Sequence, residues 1–143
     1  MYKIKVKAKK HWPKCTQNSV KLIVHWAVKE LGLDVSPIPI HIHLKGPADR
    51  WGDCIDLDTK VVVRIFFSDL WMQTIFHELE HARQYIYGEL QLENDHAVWK
   101  GKLIERIEDR YYEDPWEVQA REVEDKMEIK FLTFIAPSLI MNT

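Results

Sequence analysis

The chain opens on a strict alternation. Over residues 2–8, Ile4, Val6 and Ala8 fall on one face and Lys3, Lys5 and Lys7 on the other, which predicts a half-buried strand. Over 17–31 the period lengthens. Val20, Ile23, Val24, Ala27, Val28 and Leu31 recur at helical spacing, with Thr16 as the expected N-cap and Gly32 just past the C-terminus. A second strand is expected over 38–44, after the breakers Pro37 and Pro39. The segment from Gly46-Pro47 to Gly52 reads as a loop, and Asp58-Thr59 as a turn. Residues 61–67, β-branched and aromatic throughout, make the strongest strand pattern. Ser68 is the expected cap of a helix that runs to about Tyr87 and stops at Gly88. A weaker helical pattern covers 97–112 through Leu103, Ile104, Ile107 and Tyr111. A final helix opens at Asp114-Pro115, with the stripe Trp116, Ala120, Val123, Met127 and Phe131. Strands early and helices late predict an α+β fold, and 143 residues fit one domain.

Composition narrows the class. Hydrophobic residues at 46% and charged residues at 29% exclude a disordered or collagen-like chain. No run reaches the roughly 18 apolar residues of a membrane span, and the charged, alternating start is unlike a signal peptide. A cytoplasmic protein without a membrane partner is therefore expected. Cys15 and Cys54 are too few for a disulfide framework and are read as incidental thiols.

The most informative pattern is His77-Glu78-Leu79-Glu80-His81, an HExxH motif inside the helix that starts near Ser68. Residues four apart on a helix are neighbours, roughly 5–6 Å between Cβ atoms, so both imidazoles can reach one ion. Glu78 then lies beside the metal as a proton acceptor rather than a ligand. Zinc lowers the pKa of a bound water toward about 7, and a nearby carboxylate makes that water a nucleophile toward a carbonyl. The competing view is that Ile75, Leu79, Ala82 and Ile86 form a core stripe that the histidines merely flank.

A catalytic zinc takes three protein ligands. No histidine follows His81 closely, so a carboxylate downstream is expected. Glu117 is the first choice, although with Asp114 as N-cap it also fits a capping arrangement; Glu124 and then Glu113 are the alternatives. Tyr111, Tyr112 and His96 are candidate donors to an oxyanion. His41 and His43 alternate on one strand and would need His11 or His25 to complete a second metal site.

HELEHARQ followed by PWEVQARE resembles the small zincin-fold metallopeptidases of the gluzincin type, especially short phage and bacterial members; the likeness covers 61 to about 125. The resemblance implies a small mixed sheet packed on the HExxH helix and a C-terminal helix carrying a glutamate ligand. It also implies that His77, His81 and Glu117 bind Zn²⁺, that Glu78 is the general base, and that Val61–Phe66 is the edge strand receiving an extended peptide or protein substrate. The alternative is a non-catalytic, zinc-stabilised interaction or regulatory module.

Charge adds one more expectation. The net value of -2 conceals eight lysines and no acid in residues 1–29, leaving 12 basic against 22 acidic residues, or -10, for the rest. Lysines on the first strand are read as guards of an exposed sheet edge. Nucleic acid or an acidic protein is the alternative partner.

Overall fold

In the computed structural model, which describes residues 2–106 and 108–141, the sequence's first strand and helix form a parallel β–α–β unit. β1 (Tyr2–Val6) pairs in parallel with β2 (Ile40–Lys45) after α1 (Lys14–Glu30), in a register that sets Ile4 opposite Ile42. β4 (Val61–Phe66) lies parallel on the other side of β2, and β3 (Gly52–Asp56) runs antiparallel along β4. The order is β1-β2-β4-β3, a mixed sheet in an α+β fold.

One face of the sheet builds the core. Ile40, Ile42 and Leu44 of β2 and Val61, Val63 and Ile65 of β4 are buried. They share a cluster with Val20, Val24 and Ala27 of α1 and with Ile75, Phe76, Leu79 and Ala82 of α2 (Trp71–Ile86). Each such side chain contributes about 1.5–3 kcal/mol when fully buried. The alternate positions His41, His43 and Lys45 stay partly open to solvent, so β2 is covered on one side, whereas β4 is buried on both apart from Arg64.

Several boundaries differ from expectation for local reasons. α1 begins at Lys14 with Pro13 at its N-cap, not Thr16, and Gln17 Nε2 donates to the Trp12 carbonyl at 2.7 Å. Ser68 lies three residues before α2, where its Oγ accepts from the Leu70 N–H at 3.1 Å. Gly32 and Gly88 hold the predicted ends, at φ +69° and +72°, backbone angles that suit glycine. β3 takes in Gly52, expected in a loop, and 53–56, where no strand is expected because glycine and two aspartates are poor strand formers. Its presence corrects the edge assignment: β4 is paired on both sides, and β3 is the edge strand on that side of the sheet.

The expected helix over 97–112 is absent. β5 (Leu90–Leu92), β6 (His96–Trp99) and β7 (Lys102–Glu105) form a small antiparallel sheet instead. Lys100 and Gly101 turn the β6–β7 hairpin at φ +50° and +82°, and two positive φ values favour such a tight turn over helical continuation. Ile107, part of that helical pattern, lies outside the described residues. A 3₁₀ segment over Glu108–Glu113 leads into α3 (Pro115–Lys130), which starts at Asp114-Pro115 as predicted. α3 continues through a π turn (Phe131–Ile135) into α4 (Ala136–Met141), and Phe131 anchors that end against Trp26 and Phe76. Leu90, Ala97, Trp99 and Trp116 form a second cluster that seats the first turn of α3. Among the described residues, no helix is long and apolar enough to cross a membrane.

Candidate metal centre

α2 turns its apolar residues to the core and His77 and His81 toward α3. The two imidazoles lie one turn apart and meet edge to face, with ring centroids at 4.9 Å. Glu117, in the first turn of α3, places Oε2 3.2 Å from His77 Nε2 and Oε1 2.7 Å from His81 Nε2. One carboxylate thus meets the same nitrogen of both rings.

The opposite nitrogens face outward to other acceptors. His77 Nδ1 lies 3.1 Å from Glu124 Oε1, and His81 Nδ1 lies 2.8 Å from Gln84 Oε1. A carboxylate or amide oxygen can only accept, so each Nδ1 donates to its outer partner and each Nε2 donates to Glu117 in turn. Gln84 is fully buried, and its Nε2 donates at 3.1 Å to the carbonyl of Trp116, the residue before Glu117. The helix bearing the histidines and the turn bearing the glutamate are therefore joined through one amide.

Electrostatics follow from this packing. Burial works against a charged His77, but hydrogen bonds to Glu117 and Glu124 overcome it and raise its pKa to about 10. Burial likewise opposes the ionised Glu117, yet its bonds to His77 and His81 hold its pKa down at about 2. Glu78 is almost wholly buried; desolvation pushes its carboxyl up, His81 and His77 draw it back, and it settles at about 7.

β3 closes the other side of Glu78. A Cβ added to Gly52 would lie 2.7 Å from Thr74 Cγ2, 2.7 Å from the Arg64 carbonyl and 3.2 Å from Glu78 Cγ. Only the bare glycine lets the edge strand lie this close to the helix. Arg64 of β4 holds the neighbouring Asp53 by a paired guanidinium–carboxylate contact. The site opens into a cleft of about 710 Å³ between β3, α2 and α3.

Among the described residues, His77, Glu78 and His81 form the one group of three metal-capable side chains whose ligand atoms lie within 4.8 Å of each other. Glu78 belongs to it by proximity, whereas Glu117 is the carboxylate in contact with both Nε2 atoms. Glu124 touches Nδ1 of His77 instead, and Glu113 is exposed at the end of the 3₁₀ segment, outside the cleft lining. Tyr111 and Tyr112 line the cleft with their side chains largely exposed, but His96 pairs with Asp95 outside it. The other histidines do not gather. His41 and His43 stand among lysines, His25 lies beside Tyr2, and His11 packs on Phe67. Cys15 is exposed, and Cys54 lines the cleft near Glu78, where burial pushes its thiol pKa well up.

Three contributors were not anticipated. Gln84 and Tyr85 follow His81 by three and four positions, a spacing that shares its helix face. Tyr85 lines the cleft, and burial keeps its hydroxyl protonated well above the usual range. Gly52 carried only a loop signal. Comparison of the chain with family models, curated proteins and solved structures finds no match to any of them.

Proposed function

We propose that the chain is a zinc-dependent, zincin-like metallopeptidase that holds Zn²⁺ through His77 Nε2, His81 Nε2 and the Glu117 carboxylate. The carrying observation is the convergence of both Nε2 atoms on one carboxylate while both Nδ1 atoms are committed elsewhere. Two imidazoles and a carboxylate suit zinc, and outer acceptors on Nδ1 fix the tautomer that leaves Nε2 free to ligate. When bound, zinc acts as a Lewis acid and brings the pKa of a water toward about 7.

The chain's own groups supply the rest. Glu78, almost wholly buried beside both histidines and lining the cleft, is suited to take a proton from the attacking water and return it to the leaving amine nitrogen. β3 has one unpaired edge beside Glu78, so an extended peptide is aligned by adding a strand there, not on β4. Tyr85, Tyr111 and Tyr112 line the cleft as O–H donors for the oxyanion that develops at the carbonyl. Glu124 and Gln84 act as positioning residues behind the histidines. A purely structural zinc site is closed by four protein ligands. The open cleft beside Glu78 favours the enzyme.

Glu78→Gln separates the two. Zinc content and thermal midpoint are expected to stay near wild type while cleavage of a denatured protein substrate falls by at least about 10². Equal cleavage by wild type and variant would overturn the general-base role.

A further inference from the structure

The sheet face turned away from α1 and α2 carries cations in register. Lys3 lies opposite His41, and Lys5 lies opposite His43; Arg64, next in that row, is already paired with Asp53 of β3, so the free charge is that of the lysines. Lys7 extends the row beyond β1, its N–H bonded to the Leu44 carbonyl next to Lys45. Lys3, Lys5 and Lys7 are exposed, while His41, His43 and Lys45 are half-buried. Lys9 and Lys10, also exposed, follow directly.

Three features set this face apart. Parallel strands are usually covered on both sides, yet β1 and β2 leave this one to solvent, while Val62 and Phe66 of β4 are buried. Like charges on neighbouring strands weaken pairing, so folding alone gains nothing from the arrangement. The crowding registers at the imidazoles: burial first, then Lys60 and Lys3, hold His41 below its ordinary pKa. Burial, Lys7, His41, Lys45 and Lys5 do the same to His43. Protection of an exposed edge accounts for lysines on β1 but not for Lys45, which lies one strand inward.

We propose that this face docks the sugar–phosphate backbone of nucleic acid. Alternate residues along a strand are about 6.6 Å apart, so Lys3, Lys5 and Lys7 form an evenly spaced line of charge. A uniform row of phosphates complements that line better than the scattered carboxylates of a protein surface. Arg50 and Arg64 lie over the Phe66 ring, at 5.4 and 5.5 Å from its centroid, so this ring is not free to stack on bases. Binding is therefore to the backbone and independent of sequence.

The test uses the full chain and a short fluorescein-labelled DNA duplex of arbitrary sequence, read by anisotropy across a salt series. Wild type is expected to bind at low salt. The triple variant Lys3→Gln, Lys5→Gln, Lys7→Gln should bind at least about tenfold more weakly, and its salt slope should fall by about 3. Its thermal midpoint should not drop, because the substitutions relieve repulsion. A triple variant of the same charge on the helices, Lys21→Gln, Lys29→Gln, Lys126→Gln, should bind like wild type. The double variant His77→Ala, His81→Ala should also bind like wild type, so the outcome is independent of the proposed peptidase. Absence of binding at low salt, equal loss in both triple variants, or displacement by polyglutamate as effective as by unlabelled duplex would overturn the proposal.

Discussion

Gln84 accepts from Nδ1 of His81 at 2.8 Å with its side-chain oxygen and donates its amide to the Trp116 carbonyl at 3.1 Å. The contact fixes the tautomer of one imidazole and at the same time ties it to the turn that delivers Glu117. Replacing Gln84 by Leu keeps the volume similar but removes both bonds. Zinc affinity, measured by competition with a chromophoric chelator, should fall about 10–100-fold. Nitrogen NMR of His81 should show loss of the single Nδ1–H tautomer, a change that looser packing alone would not produce. Unchanged affinity and tautomer would remove Gln84 from the site.

Glu117 and Glu124 lie on the same helix but touch different nitrogens of His77. Glu117→Ala should abolish stoichiometric zinc at micromolar protein. Glu124→Ala should retain stoichiometric zinc with affinity lowered about 10–100-fold, as for a lost outer partner of a ligating histidine. Reversal of that order would make Glu124 the ligand.

Gly52 is the contact point between the edge strand and the turn bearing Glu78. Gly52→Ala forces a methyl group against the Arg64 carbonyl and Thr74, an overpacking expected to cost about 1–3 kcal/mol in denaturant unfolding. The displaced strand should also raise KM more than it lowers kcat, if β3 aligns the substrate. Wild-type stability in this variant would mean that β3 does not pack this closely.

Protonation predicts how stability responds after metal is removed by a chelator. Glu117, depressed from 4.5 to about 2, contributes stability above pH 4.5 that is lost as pH falls toward 2. His77, raised from 6.5 to about 10, contributes stability below pH 6.5 that is lost between 6.5 and 10. Glu78, raised from 4.5 to about 7, adds a further loss between 4.5 and 7. The thermal midpoint of chelated protein should therefore peak near pH 4.5 and decline on both sides. Glu117→Gln should flatten the acid limb. Saturating zinc should reduce the alkaline loss, because it competes with the protons on both Nε2 atoms. A midpoint that rises steadily from pH 5 to 9 in chelated protein would contradict this coupling.

The elements with strong periodicity were legible. α1, β4 and α2 follow from repeated apolar spacing, and α3 from the Asp114-Pro115 start. The HExxH pair was visible because helical spacing alone sets two imidazoles side by side. Glu117 could be singled out as acidic and near the inner stripe of α3, but its contact with both histidines depends on how α3 docks on α2. That docking rests on Trp116 packing with Leu90, Ala97 and Trp99, in a region where the periodicity suggested a helix. There, Lys100 and Gly101 decided the outcome through their backbone angles. β3 escaped for a related reason: its identity lies in pairing with β4, and its own residues are weak strand formers.

Whether His77, His81 and Glu117 together hold one zinc can be read from anomalous diffraction at the zinc edge, on crystals grown with stoichiometric zinc. One strong peak is expected about 2.0–2.1 Å from Nε2 of both histidines and about 2.0–2.2 Å from a Glu117 oxygen, with Glu78 beside it but not ligating. A peak coordinated by Glu78 or Glu124 in place of Glu117, or no peak between the two histidines, would contradict that assignment.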